Sequence, residues 1–321
     1  MARYSLADLG QVSYGLETSP YEREIPSDQY FGLIADDVDL TGGINPHTML
    51  KSGGTSRKPY IHSPDVKEYA LTIPVIPVDH KVPLECIIGE KVITDIEDGA
   101  SVKVGEKHTW QESDILQTLT LEHVQKDLDF AEWFIGCKGS LSISGSLGEA
   151  IEFSLDMMAT EHEYDDTGTH TPPTLNIPRT RPPFRFWMNC DVLYGGKTIA
   201  TLNSFDIGLD NGITARHHGC GRDAYTVVEE TSPDKYDVSL NMDVVDLDLF
   251  RSAVENEDVA DLIIPIKRGF SADDTWNDGI EIVLKDCKVL EANIPNPGEG
   301  VLEADVVFAP LGFELSILTP V

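Results

Sequence analysis

Trp133-Phe134-Ile135-Gly136-Cys137-Lys138-Gly139-Ser140-Leu141-Ser142-Ile143-Ser144-Gly145-Ser146-Leu147-Gly148-Glu149-Ala150-Ile151-Glu152-Phe153-Ser154-Leu155-Asp156-Met157-Met158-Ala159 is the stretch on which the fold is decided. Leu141 and Ile143 alternate with Ser140, Ser142 and Ser144. After Gly145-Ser146-Leu147-Gly148, the residues Ile151, Phe153, Leu155 and Met157 alternate with Glu152, Ser154 and Asp156. A period of two gives a strand one apolar and one wet face. The segment therefore reads as two strands and a tight turn, with Gly145 and Gly148 supplying positive φ where the turn demands it. Its wet face carries small hydroxyls and acids, without Lys or Arg.

The pattern returns near the C-terminus. Cys137-Lys138 recurs as Cys287-Lys288 and Gly148-Glu149 as Gly298-Glu299, both separated by 150 positions (287 − 137 and 298 − 148). After a slip of one residue, Ile151 to Leu155 faces Leu302 to Val306. Upstream, Ser63-Pro64-Asp65 leads into Tyr69, Leu71, Ile73 and Val75. Ser232-Pro233-Asp234 leads in the same way into Tyr236, Val238, Leu240 and Met242. Two separate blocks recurring in the same order imply two copies of a β-rich unit.

The chain has 321 residues, enough for two domains, and 41% hydrophobic content, enough for packed cores. It carries 24 basic and 55 acidic residues, a net charge of −31. Such a chain repels phosphate, which argues against specific nucleic-acid binding. The acids run along the whole chain, which suits a protein adapted to very high salt, where repulsion is screened; a local acidic lining facing a polyanion is the competing reading. Five cysteines, an odd number without a CxxC, argue against a disulfide framework or a cysteine zinc site. The first residues lack the apolar core of a signal peptide, and no run is long enough to span a membrane. These features lead to the expectation of a soluble protein made in a reducing cytoplasm.

Residues 1–60 read as an extended arm punctuated by Gly, Pro and Ser, with a strand near Tyr30 to Ile34. Pro83 to Ile93 is expected to form a short helix with Leu84, Ile87 and Ile88 on one side, and residues 95–114 a polar loop. Leu119 to Val124 alternates as a strand. Between Glu161 and Arg185 the pattern collapses into Thr171-Pro172-Pro173 and Arg181-Pro182-Pro183, stiff linker material. The organisation expected is an arm and first domain over 1–165, a linker over 166–183 and a second domain over 184–321. In the second, a hairpin is expected at Gly195-Gly196, a turn at Asp210-Asn211-Gly212, a helix over Asp246 to Val254, and an edge strand at Leu262 to Ile266 marked by Pro265. Phe313, Leu315 and Ile317 suggest a final strand lacking a counterpart after the first copy.

Reactive residue types are sparse. His217-His218-Gly219-Cys220-Gly221-Arg222-Asp223 is the densest cluster, but no further ligand pair stands at metal spacing. Glu161, His162, Glu163, Asp165, Asp166 and His170 lack the calcium-loop pattern. Phosphate loops, nucleophile elbows and paired-His motifs are absent from the sequence. The expectation is a protein without catalytic residues, metal or cofactor.

Several segments resemble the major tail tube proteins of tailed viruses. They are Tyr14-Gly15-Leu16-Glu17-Thr18, Tyr30-Phe31-Gly32-Leu33, and Leu119-Thr120-Leu121-Glu122 running on through Trp133 to Ala159. With them go Leu193-Tyr194-Gly195-Gly196-Lys197, Leu202 to Ile207, and Leu209-Asp210-Asn211-Gly212. The resemblance implies a mainly β fold: a small β-sandwich or half-barrel with a flanking helix. It also implies inner strands that join those of neighbouring subunits into one barrel around a channel. Rings of six such domains stack into the tube that conducts DNA from capsid to host, meeting other tail proteins at its ends. The acidity departs from common bacterial-virus members and suggests a virus of a halophilic archaeon. On this reading Ser142, Ser144, Glu152, Ser154, Asp156, Glu303 and Asp305 face the lumen, where like charge limits sticking to DNA. Two domains per chain imply a homotrimeric ring; if only one copy reaches the lumen, a hexamer. The location implied is the virion tail, assembled in the host cytoplasm without a membrane. The alternative is a carbohydrate- or receptor-binding β-sandwich of a virion or cell surface, which an exposed aromatic groove would favour.

Overall fold

The computed structural model describes residues 10–24, 30, 33–34, 39–44, 47–49, 61–63, 67–125, 130–165, 167, 170–171, 174, 181–185, 191–216, 226–228, 235–244, 259–293 and 303–321. The strands are β1 (Gly10–Leu16), β2 (Leu33–Ile34), β3 (Asp39–Ile44), β4 (His47–Met49), β5 (Ile61–Ser63), β6 (Lys67–Ile76), β7 (Gly89–Glu97), β8 (Lys103–Glu112), β9 (Leu119–Gln125), β10 (Phe130–Ser146) and β11 (Glu152–Ala159). There follow β12 (Glu161–Asp165), β13 (Asp191–Tyr194), β14 (Lys197–Leu209), β15 (Thr214–Arg216), β16 (Thr226–Val228), β17 (Tyr236–Val244), β18 (Ala260–Phe270), β19 (Trp276–Asn293), β20 (Glu303–Ala309) and β21 (Gly312–Pro320). The protein is mainly β, and every pairing among these strands is antiparallel.

The opening stretch forms the hairpin its alternation calls for. Ile143 faces Phe153 and Leu141 faces Leu155 on the buried side, while Ser142 faces Ser154 and Ser144 faces Glu152 on the other. The turn takes its positive φ from Gly148 alone, at 86°. Gly145 serves a different purpose: a Cβ there would lie 2.6 Å from Phe205 Cε1, so it permits close approach of a neighbouring strand.

β10 changes partner half-way. Its C-terminal half pairs with β11 over Lys138–Ser144, its N-terminal half with β12 over Ala131–Ile135. β19 does the same, with β20 over Lys288–Asn293 and β21 over Gly279–Lys285. Around each long strand the neighbours follow one plan. β9 and β18 flank the N-terminal halves, and β1 and β13 pair beyond them. β6 and β17 flank β11 and β20, and β3 and β14 lie outermost. In the second half, β13 also pairs with β14 and closes a six-stranded barrel. In the first half a single bridge between Ser13 and Tyr30 stands at the corresponding place.

Individual residues match as well. Tyr14 lies opposite Leu121 and Tyr194 opposite Leu262. Two residues after Tyr69 and Tyr236, Leu71 meets Met157 and Val238 meets Phe308. Cys137 and Cys287 each sit where the long strand switches partner, directly after a residue of positive φ, Gly136 (70°) and Asp286 (47°). Their thiols lie 3.3 Å from Phe134 O and 3.4 Å from Leu284 O. The slip of one residue noted in the sequence is a bulge in β19 between Val289 and Glu291.

The two halves are joined edge to edge. β10 pairs with β14 from Leu141–Leu209 to Ser146–Ser204. This makes one eight-stranded sheet in the order β3-β6-β11-β10-β14-β17-β20-β19. A second tie is the β7–β8 hairpin, whose β8 pairs with β21. One apolar cluster runs through both halves, with Trp110, Phe134, Phe153, Phe184 and Phe308 among its largest buried side chains.

Five expectations change. Leu262 to Ile266 is not simply an edge strand: β18 pairs with β19 on one side and, at Leu262 and Ile263, with β13 on the other. Pro83 to Ile93 is not a helix: a single 3₁₀ turn, Leu84–Cys86, is followed by β7, because Gly89 (φ 136°) ends the turn and Val92-Ile93-Thr94 is β-branched. Leu84, Ile87 and Ile88 are nonetheless buried. Residues 95–114 are not a loop but most of the β7–β8 hairpin, polar because β7 is largely exposed on both faces. Glu161–Asp165 is not linker but strand β12, the counterpart of β21, so the last strand does have an equivalent in the first half. Of the two flanking helices, the first is absent among the described residues and the second, Asp246 to Val254, lies outside them, as does most of the Pro-rich linker.

Candidate functional site: an acidic sheet face

The eight-stranded sheet buries one face in the core and turns the other outward. The outward face is built of rows that cross the strands. One runs Thr72, Asp156, Ser140; the next Pro74, Ser154, Ser142, Gly208, Asp237; the next Glu152, Ser144, Asp206, Ser239, Val307. Further along lie Ser146, Ser204, Asn241, Asp305 and Asn293, and finally Asp243 with Glu303. All seven residues singled out from the sequence, Ser142, Ser144, Glu152, Ser154, Asp156, Glu303 and Asp305, fall on this one face, although β14 and β17 separate the two groups.

Sequence reading missed the contribution of β14 and β17. Asp206, Asp237, Ser239, Asn241 and Asp243 complete the face, and the signal was available as the polar half of each alternation. Cross-strand hydrogen bonds fix the side chains. Thr72 Oγ1 donates to Asp156 Oδ1 at 2.7 Å, Asn241 Nδ2 to Asp305 Oδ1 at 2.7 Å, and Ser142 Oγ to Asp206 Oδ1 at 3.4 Å. The bases near the face gather at one end. Lys138 continues the β10 row there but is 8% exposed, Lys288 is its counterpart in β19, and Lys235 is held by Glu112 at 2.6 Å. Away from that end, the described residues of the face are mostly carboxylates, hydroxyls and amides, without a basic side chain to hold a polyanion. Shallow grooves along it are lined by Ser144, Ser204, Asp206, Ser239, Asn241 and Asp305. This is the surface of a passage or a solvated wall, not a pocket that encloses a ligand.

The sequence matches the phage tail tube protein family over residues 28–314. The chain belongs to this family. No match was found among curated proteins. It is thus a structural component of a virion tail, of a kind that self-assembles into a tube together with other tail proteins.

In this tail tube protein the remaining candidate clusters have structural settings. His217 to Asp223 lies outside the described residues. His162 belongs to β12, where its Nε2 lies 2.9 Å from Glu132 Oε2, while His123 Nδ1 lies 2.7 Å from Glu132 Oε1. Burial raises the Glu132 carboxyl, but the hydrogen bonds and charges of the two histidines outweigh it and bring its pKa to about 2. Among the described residues no group of three His, Cys, Asp or Glu is placed to hold a metal. Cys86, Cys137 and Cys287 are buried and free. Burial pushes all three thiols up, Cys287 to about 12, so they are poor nucleophiles.

Proposed function

We propose that three copies of this tail tube protein form one ring of the tube, each contributing two tube units, residues 1–165 and 184–321 joined by 166–183. The acidic face lines the lumen through which viral DNA passes from capsid to host, and the rings stack into the tail. The observation that carries this reading is the eight-stranded sheet: both units add strands to one continuous wall, and both add carboxylates to the same face. The matched strand order, the paired cysteines and the paired tyrosines support descent from one duplicated unit. Three sheets supply about 24 inner strands. At about 4.8 Å between strands and a tilt near about 40° the backbone barrel is about 48 Å across, leaving roughly 35–40 Å inside the side chains, enough for one duplex. Six copies with both units inside would double the circumference.

The net charge of −31 supports a virus whose host lives in concentrated salt. Screening then removes most of the self-repulsion. Thermal unfolding measured in low and in multimolar salt is expected to give a clearly higher midpoint in salt; equal midpoints would remove that part of the reading. The ring itself is tested by electron microscopy of the assembled protein. Stacked rings with three chains each are expected. Sixfold rings in which every chain gives one unit to the inner wall would replace the trimer by the hexamer.

A further inference from the structure

The joint between the two halves has an unfilled equivalent at the ends of the same sheet. β10 and β19 occupy matching places, and so do β14 and β3. Inside the chain, β10 meets β14. Among the described residues, Val289–Asn293 of β19 pairs with β20 alone, and β3 pairs with β6 alone. The two edges stand at opposite ends of eight strands, about 34 Å apart along the sheet at about 4.8 Å per step, so they cannot meet within one molecule. An unpaired edge with Leu290 65% exposed on it is a surface made to be covered.

We infer that β19 of one copy pairs with β3 of the next in the register of the internal joint, with Ala292 opposite Gly42 of the partner subunit and Asn293 opposite Thr41 of the partner subunit. The assignment follows residue by residue. Leu141 faces Leu155, and Ala292 faces Val306 at the same place in the second half. Leu209 faces Tyr236, and Gly42 faces Tyr69. Since Leu141 pairs with Leu209, Ala292 is set against Gly42 of the partner subunit, and the neighbouring pair Ser142–Gly208 becomes Asn293 with Thr41 of the partner subunit. In this register Asn293 stands at the place of Ser142, and Asp39 of the partner subunit at the place of Asp206. One joint type thus serves within and between chains, head to tail, which is the arrangement that closes a ring without leaving an edge.

This inference rests on the ring reading and adds its register, so the test separates the two. Directly opposed residues in an antiparallel pair have Cα atoms about 4.5–5.5 Å apart, within reach of a disulfide; diagonal ones are about 7–8 Å apart and strained. The variant Thr41→Cys/Asn293→Cys is made with Cys190→Ser and Cys220→Ser, assembled, and oxidised. Covalent species ending at the trimer on non-reducing gels are expected, at a rate at least tenfold that of Asp39→Cys/Asn293→Cys. The pair Gly42→Cys/Ala292→Cys reads the same register from the other face should Asn293→Cys unsettle folding. Rings that link faster through the Asp39 variant, or through neither opposed pair, overturn the register while the tube stands. A parent protein that stays dispersed under the electron microscope, with no crosslinks, overturns both.

Discussion

Gly136-Cys137-Lys138 and Asp286-Cys287-Lys288 make the same kink in the same place, yet they are held by different means. In the first half the kink is buried. The carboxylate of Glu17, 3% exposed, accepts the N–H of Gly136 at 2.7 Å, the N–H of Tyr21 at 2.7 Å, and the hydroxyls of Thr118 at 2.5 Å and Thr120 at 3.0 Å. In the second half the kink is at the surface, where the N–H of Asp286 donates to Asp261 at 3.1 Å. Shared topology therefore does not imply shared energetics: one kink depends on a satisfied buried charge, the other on a solvated turn.

Removing the acceptors sharpens this contrast most. Glu17→Ala leaves four donors without their partner, three of them on the buried residues Gly136, Thr118 and Thr120, and is expected to cost about 3–5 kcal/mol. Asp261→Ala exposes one N–H to water and is expected to cost less than about 0.5 kcal/mol. Chemical denaturation of the dispersed subunit measures both. Similar losses for the two would mean that the halves are stabilised alike.

The kink residues give the next effect. A Cβ at position 136 would lie 2.4 Å from Thr160 Oγ1 and 2.6 Å from Tyr21 Cδ1, at a φ that side chains rarely adopt. Gly136→Ala is expected to cost about 2–3 kcal/mol. Asp286 already adopts φ 47° in the open, so Asp286→Gly relieves strain and is expected to change stability by between zero and about 1 kcal/mol in the favourable direction. A destabilising Asp286→Gly would show that the aspartate side chain does more at the second kink than tolerate it.

What the sequence revealed follows from where its periodicity was clean. β6, β10, β11, β17 and β20 bury one face, so their alternation was visible, and with it the two similar sequence blocks and the seven residues that share one sheet face. β7 and β12 were illegible for the opposite reason. Glu90 to Glu97 is exposed on both sides, and Glu161-His162-Glu163-Tyr164-Asp165 buries little, so neither shows a period of two in hydrophobicity. The edge-to-edge joint was also hidden: Gly145 looked like a turn glycine, and only the nearness of Phe205 explains it. The slip of one residue was visible as a shift in alignment but not as the bulge that causes it.

The smallest effect concerns the far end of the two cores. His123, Glu132 and His162 occupy the places that Ile264, Ile282 and Phe313 fill in the second half, since His123 faces Glu132 and Phe134 faces His162 as Ile264 faces Ile282 and Leu284 faces Phe313. The first half closes with a half-buried hydrogen-bonded triad, the second with hydrocarbon. The triad leaves a signature in acid. Glu132 has its pKa lowered from 4.5 to about 2, so the unfolded chain binds more protons across that window and stability falls as pH drops from about 4.5 towards 2. A second group acts higher. His108, stacked on His80 with ring centroids 3.7 Å apart, is lowered from 6.5 to about 4 by burial, then by the charges of His80 and Lys91. Stability therefore also falls between about pH 6.5 and 4. The triple variant His123→Ile/Glu132→Ile/His162→Phe transplants the second half's packing into the first. His162 already stacks on Phe134 at 4.7 Å, so Phe fits its site. Exchanging this partly buried polar cluster for hydrocarbon is expected to be neutral or to stabilise by up to about 2 kcal/mol at neutral pH. The acid limb below pH 4.5 should flatten while the limb between 6.5 and 4 persists, because His108 is untouched. Glu132→Gln alone should flatten the same limb but lose about 1–2 kcal/mol at neutral pH, since both histidines keep their places without a carboxylate. If the triple variant is instead strongly destabilised, the two cores do not accept each other's packing, and their correspondence ends at the backbone.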